Sequence, residues 1–92
     1  FKQLHGDLPH PDIANGLGNL GAAYGRLEDR SNAIDCYKQS LAMFKQIHRD
    51  LPHPDIINVL NNLGETYIIL GNYNLGIEYR QQYLAMFRGL YG

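Results

Sequence analysis

Apolar side chains recur at helical spacing in two parts of the chain, between residues 13 and 27 and between residues 56 and 70. Within each part they fall at i, i+4, i+7, i+8, i+11 and i+14, and these spacings place them on one side of an α-helix. A His-Pro-Asp sequence precedes each part, and proline and aspartate both favour the first turn of a helix. The pattern predicts helices over residues 11–26 and 54–70. The two apolar sets are Ile13, Leu17, Leu20, Gly21, Tyr24 and Leu27, and Ile56, Leu60, Leu63, Gly64, Tyr67 and Leu70.

A second helix is predicted in each half of the chain. In the first half Ser31 or Asn32 is the expected N-cap, because a short polar side chain binds the free N–H groups of the first helical turn. No segment shows the period-two alternation of a half-buried strand, so we expect an all-α chain. The apolar stripe of this helix is Ala33, Ile34, Tyr37, Leu41, Phe44 and Ile47 in the first half, and Gly76, Ile77, Arg80, Leu84, Phe87 and Leu90 in the second.

The two halves are copies of one segment. FKQLHGDLPHPDI, which begins at Phe1, returns as FKQIHRDLPHPDI at Phe44, and 23 of the 43 paired positions are identical. A period of this length is typical of stacked helical repeats, in which each unit packs on its neighbours. We assign residues 1–9 to the tail of a preceding helix and a linker, 10–52 to the first repeat and 53–92 to the second. Because the chain opens inside a repeat, we expect it to be a piece of a longer array.

A family resemblance rests on these same positions. Leu17-x-x-Leu20-Gly21-x-x-Tyr24 and Ala33-x-x-x-Tyr37 resemble the tetratricopeptide signature W-x₂-L-G-x₂-Y…A-x₃-F, with leucine in place of tryptophan. The 43-residue period and the His-Pro-Asp-Ile start are similar to the longer repeats of the kinesin light chain and nephrocystin group. The resemblance implies a right-handed α-solenoid of antiparallel helix-turn-helix repeats that binds another protein or a peptide.

The first helix of each repeat has a polar face nearly opposite Leu17 and its counterpart, at about 100° per residue. In tetratricopeptide proteins this helix lines the concave surface, and asparagines beside the Leu-Gly pair contact bound peptide. Alternatively, the asparagines recur only because the segment is duplicated and these positions face solvent, without any contact to a ligand. Asn19 and Asn62 are the leading candidates for ligand contact. The predicted groove residues are Asn15, Asn19, Arg26, Asn58, Asn62, Glu65 and Ile69.

The groove residues also suggest a class of ligand. Arg26 is the one basic residue among them and faces Glu65, so a peptide that ends in a carboxylate would find little charge complementarity. Apolar Ile69 and the asparagine amides favour a peptide with apolar side chains and one basic group. Two other functions remain open: an architectural or self-associating segment, and a regulatory arm of a larger enzyme or signalling protein.

Self-association is predicted from the second helix of the second repeat, which carries an additional apolar row. Two repeats leave an apolar surface at each end, and about three are needed for stability. Phe1, Leu4 and Ile13 are expected at the front end. We therefore expect end-to-end stacking or an exchange of helices between copies. The residues expected in the contact at the back end are Leu75, Tyr79, Tyr83, Met86 and Leu90.

Composition narrows the remaining functions. Eight basic and nine acidic residues leave a net charge of −1, which predicts neither nucleic acid nor an anionic membrane as a partner. The single Cys36 cannot form an internal disulfide, which favours a reducing compartment and thus the cytoplasm. No group of residues forms a recognisable catalytic set, so we expect no enzymatic activity and no cofactor.

Two local patterns match known binding motifs, but their context disfavours both. Gly16-x-Gly18-x-x-Gly21 matches the dinucleotide fingerprint, but that site needs a preceding strand and these glycines lie inside a predicted helix. The histidines recur as two pairs, whereas a structural zinc site needs four ligands. We interpret His10 and His53 as helix-start residues and expect no metal. The two pairs are His5 with His10 and His48 with His53.

Overall fold

Four helices make up the described part of the fold. The computed structural model describes residues 9–49 and 51–92. The first helices of the two repeats, predicted over 11–26 and 54–70, are confirmed to within one residue. The predicted tail of a preceding helix falls on residues 1–8, which lie outside the described part. In chain order the helices are α1 (Pro11–Arg26), α2 (Arg30–His48), α3 (Pro54–Ile69) and α4 (Tyr73–Tyr91).

The start of α1 and α3 is fixed by histidine caps. The backbone N–H of Asp12 donates to Nδ1 of His10, and that of Asp55 donates to Nδ1 of His53, each over 3.1 Å. A proline follows each histidine and needs no partner, because it has no N–H group. The predicted role of His-Pro-Asp as a helix start is confirmed.

The predicted N-cap of α2 is wrong. Neither Ser31 nor Asn32 caps the helix; the cap is Asp29, whose carboxylate accepts the Asn32 backbone N–H over 3.3 Å. Its second oxygen accepts the Asn32 side-chain amide over 2.7 Å. Asn72 caps α4 in the same position. A carboxylate that reaches two donors at once outcompetes the short side chains that follow it.

The apolar stripes of α1 and α3 end one step earlier than predicted, because the turn to the next helix begins at their last predicted residue. Leu27 and Leu70 cap the C-terminal ends of α1 and α3 and are exposed, because the chain leaves the helix there. The next residue has a positive φ in both repeats, +61° at Glu28 and +87° at Gly71. Glycine adopts this left-handed conformation without strain, whereas glutamate does not. The turn geometry is therefore the same in both repeats although its sequence differs.

The core is shared between the repeats. Helix α2 packs against α1 of its own hairpin and against α3 of the next, and α4 packs against α3. Leu63 on α3 is fully buried, whereas its counterpart Leu20 on α1 is 40% exposed, because among the described residues no helix covers the outer side of α1. Both leucines lie on the predicted apolar stripes, but only Leu63 belongs to the buried core. The buried cluster is Ala14, Ala33, Ile34, Tyr37, Leu41, Phe44, Ile56, Val59, Leu60, Leu63 and Tyr67.

The additional apolar row of α4 faces the chain's own core. Leu75, Tyr79, Tyr83 and Met86 are partly buried and pack against the core cluster, and Leu90 is exposed. The ring of Tyr79 stacks on that of Tyr67 in α3, with centroids 5.7 Å apart.

The matching side of α2 also faces its hairpin partner. The Ser40 hydroxyl, buried there, donates to the carbonyl oxygen of Ala14 in α1 over 2.8 Å. The free apolar surface of α4 is consequently the other stripe, which contains Ile77, Leu84 and Phe87. These three lie on the predicted apolar stripe and are exposed, because the stripe becomes buried only when another helix packs on it.

Candidate peptide-binding groove

A groove runs between α1 and α3, and its first depression has a volume of about 360 Å³. Four of the predicted ligand-contacting residues line it, two from each helix: Asn15, Asn19, Asn58 and Asn62. Ser40 and Phe44 of α2 lie beneath them and, with Val59, form a partly apolar floor. The other lining residues are Ala14, Gly18, Ala22, Asp55 and Asn61.

A second depression of about 250 Å³ continues the groove, and Ala22 borders both. The remaining predicted groove residues, Arg26, Glu65 and Ile69, line it. The structure thus brings all seven predicted residues to one surface, although whether they contact a ligand stays a prediction. The other lining residues are Gly25, Arg30, Tyr37 and Thr66.

The asparagine amides are free to bind a ligand. Among residues 9–49 and 51–92, none of the groove asparagine side chains hydrogen-bonds to another protein group. Asn62 is half-buried, whereas Asn19 is exposed. Each amide offers both donors and an acceptor, the groups needed to bind an extended backbone.

Asn61 and Arg30 also line the groove, and the sequence reasoning missed both. Asn61 corresponds to Gly18 in the first repeat, so it was not among the asparagines found at matching positions of both repeats. Its spacing from Asn58, three residues along the same helix, was the available signal. Arg30 opens α2 and reaches the groove from the neighbouring helix, which the periodicity of α1 and α3 does not reveal.

Charge is distributed unevenly along the groove. Among the described residues, Asp55 is the one charged residue that lines the first depression, whereas Arg26, Arg30 and Glu65 all line the second. The expectation of a single basic residue therefore has to be corrected to two. One end of the groove favours a basic ligand group, and the other carries one net positive charge.

Two histidines meet Asp55 at the junction of α2 and α3. Nε2 of His48 lies 3.3 Å from Oδ2 of Asp55, and Nδ1 of His53 lies 3.4 Å from the same oxygen. The two imidazole rings are stacked, with centroids 3.6 Å apart and an interplanar angle of 11°. The three side chains could together supply three metal-ligating atoms.

The ring geometry opposes a metal site. A metal ion lies in the plane of each imidazole that binds it, at about 2.0–2.1 Å from the nitrogen, and two stacked parallel rings cannot direct their lone pairs to one point. Nδ1 of His53 already accepts the Asp55 N–H. The His48–Asp55 contact and the stacked rings therefore join the end of α2 to the start of α3. His10 caps α1 instead, and His5 lies outside the described residues.

The glycine motif is placed as expected, since Gly16, Gly18 and Gly21 all lie within α1. All four elements formed by residues 9–49 and 51–92 are helices, so no strand precedes this motif there. A phosphate-binding loop at the mouth of a helix is therefore not formed by these glycines. No helix in the described part of the chain is both long and apolar enough to span a bilayer.

Cys36 should be a poor nucleophile. It is buried, and burial raises the pKa of its thiol above the ordinary value, which lowers the fraction of reactive thiolate. We expect a thiol reagent at pH 8 to label the folded chain at least about tenfold more slowly than the chain in denaturant. Equal labelling rates would show that α2 leaves this side chain accessible.

Stacked helical hairpins with a shared core define the chain as an α-solenoid repeat protein. The family model described as tetratricopeptide repeat matches residues 14–46 and 57–87. The chain belongs to the tetratricopeptide repeat family. Repeats of this family generally mediate protein–protein interactions and are in general not enzymes. Comparison with curated proteins and with solved structures gave no match.

Proposed function

We propose that the chain binds an extended segment of a partner protein in the groove between α1 and α3. The observation that carries this proposal is the set of free amides that two successive repeats present above a partly apolar floor. An extended backbone exposes a donor and an acceptor at each residue, and amide side chains can pair with both. Stacking of the duplicated repeats brings these equivalent side chains side by side, which offers an extended ligand a continuous row of amides.

The charges and apolar residues of the groove suggest the ligand's side chains. Asp55 would pair with a lysine or arginine of the ligand, while Arg26 and Arg30 would bind an acidic or polar group. Ile69, which is exposed beside them, offers an apolar contact. The favoured ligand is an extended peptide with apolar side chains, a basic residue towards one end and an acidic or polar residue towards the other.

Substitution of the groove asparagines tests the proposal. Asn62→Ala should weaken binding of a library-selected peptide about fivefold, because a lost hydrogen bond costs on the order of 1 kcal/mol. Asn19→Ala should have a smaller effect, since its exposed amide is less firmly held. Fluorescence anisotropy measures both affinities. Asn74→Ala, in an exposed asparagine near the start of α4, is the matched control and should change nothing.

Two results would count against this assignment. Unchanged affinity in both groove variants, with circular dichroism unchanged, would show that the selected peptide binds elsewhere. Equal losses in the two groove variants and in Asn74→Ala would instead indicate a general loss of folded protein.

We also propose that the repeats belong to the long subgroup that resembles kinesin light chain and nephrocystin repeats. The 43-residue period and the histidine caps of α1 and α3 support this assignment. A buried and unpaired Cys36 supports a reducing compartment, and we propose the cytoplasm. The segment itself is proposed to bind rather than to catalyse.

A further inference from the structure

The junction of α2 and α3 holds a cluster of His48, His53 and Asp55 that shares a residue with the groove. Asp55 lines the first depression, and its side chain is half-buried. Its Oδ2 atom lies 3.3 Å from Nε2 of His48 and 3.4 Å from Nδ1 of His53. The two imidazoles therefore lie against the same carboxylate oxygen that a basic group of the ligand would bind.

The two histidines are the groups that can change the charge at this end of the groove. Among the described residues, only they lie within ion-pairing distance of Asp55. The other charged side chains at this edge of the fold are Asp12 at the start of α1, Lys45 and Arg49 at the end of α2, and Arg88 in the last turn of α4. An ordinary aspartate, lysine or arginine keeps its charge over the pH range in which an imidazole titrates.

The geometry of the cluster favours the uptake of one proton rather than two. The stacked rings have centroids only 3.6 Å apart, so two positive charges would repel each other. Nδ1 of His53 accepts the backbone N–H of Asp55 over 3.1 Å, and a proton there would break this helix cap. His48 can take the proton and keep its Nε2 against the carboxylate. The resulting ion pair leaves the cluster with no net charge.

We propose that this proton and a basic side chain of the ligand compete for Asp55, so that the groove binds its ligand more weakly at acidic pH. This inference rests on the proposed function, because it concerns the ligand of the same groove. Above the range in which imidazoles titrate, Asp55 gives the first depression one negative charge. As the pH falls through that range, the histidinium neutralises this charge, and a lysine or arginine of the ligand loses its attraction there.

Fluorescence anisotropy at about pH 7.5 and about pH 5.5, on either side of the ordinary imidazole titration, tests the competition. The probe is a library-selected peptide that contains one lysine and no histidine. The original chain should bind it about fivefold more weakly at the lower pH, the effect of losing one partly exposed ion pair. The same peptide with glutamine in place of lysine should bind equally at both values. Circular dichroism should show the same helix content at both.

Substitutions in the cluster show which group titrates. His48→Gln keeps an N–H group for the carboxylate but carries no charge at any pH, so the difference between the two pH values should fall below about twofold. His10→Asn is the matched control. It replaces the equivalent helix-capping histidine of α1 with another good N-cap residue, and the fivefold difference should remain.

Asp55→Asn provides a second decision if His48→Gln fails to fold. This variant removes the negative charge itself without adding a proton. It should bind the lysine peptide at about pH 7.5 as weakly as the original chain binds it at about pH 5.5. An Asp55→Asn chain that binds as tightly as the original chain would overturn the inference.

The remaining outcomes separate this inference from the proposed function. Equal affinity at both pH values, for a peptide whose binding Asn62→Ala weakens, would keep the groove assignment and overturn the competition. A pH dependence that His48→Gln preserves in full would overturn it as well, because the titrating group would lie elsewhere. If Asn62→Ala leaves the affinity unchanged, the peptide does not bind in the groove, and the proposed function fails together with the inference.

Discussion

Replacing Leu63 with alanine should lower the free energy of unfolding by about 2–5 kcal/mol, the range for removing a large aliphatic side chain from a packed core. Leu63 is fully buried in α3, between two helices that cannot collapse onto the cavity without breaking their other contacts. The loss is a large fraction of the stability of a chain of this size. The two repeats should unfold together, because the core that loses this residue belongs to both.

Leu20→Ala is the matched control for this prediction. Leu20 occupies the same position in the first repeat but is 40% exposed, so the same change should cost less than half as much. Urea unfolding followed by circular dichroism measures both values, at concentrations where the chain is monomeric. Similar losses for the two leucines would show that Leu20 is as well buried as Leu63, and that the exposed outer side of α1 is assigned incorrectly.

Gly21→Ala should destabilise the fold by about 1–3 kcal/mol through overpacking, although alanine is the better helix former. A side-chain carbon at this position would lie 2.8 Å from Cε1 of Tyr37 and 3.2 Å from the carbonyl oxygen of Ala33. The Tyr37 ring is buried and the carbonyl belongs to the backbone of α2, so neither can move away without disturbing the hairpin.

Gly16→Ala makes the same chemical change in the same helix and should have the opposite effect. Nothing lies within 4 Å of the added carbon, so the gain in helix propensity of up to about 1 kcal/mol is retained. Thermal unfolding of both variants checks the pair. A stabilised Gly21→Ala variant would mean that α1 and α2 are further apart than the structure shows.

The sequence alone predicted the local features well, because each depends on neighbouring residues. The starts of α1 and α3 follow from His10, His53 and the prolines after them, and the caps bind their targets two residues away. The groove residues follow from helical periodicity, since Asn15, Asn19 and their counterparts share one face of a regular helix. In both repeats this face of the helix lies outside the buried core, so the periodicity alone was enough to place it.

Features that depend on packing between helices were not predictable in the same way. Leu41 and Leu84 are both followed by Ala-Met-Phe in the sequence, yet one is buried and the other exposed, because among the described helices α3 covers α2 and none covers the same side of α4. Arg30 enters the groove from an adjacent helix, which no periodicity within α1 indicates. The cap of α2 was predicted wrongly for another reason. Several polar residues lie near the start of this helix, and the sequence does not show that the Asp29 carboxylate is the one that accepts both N–H groups of Asn32.

Amide NMR during titration with a library-selected peptide tests most directly whether the groove between α1 and α3 holds an extended peptide. Binding in the groove predicts that the largest chemical-shift changes occur at Asn19, Asn58 and Asn62, while the exposed Asp35 of α2 and Glu78 of α4 stay nearly unchanged. Shift changes that centre on α4 and leave the groove asparagines unaffected would contradict it.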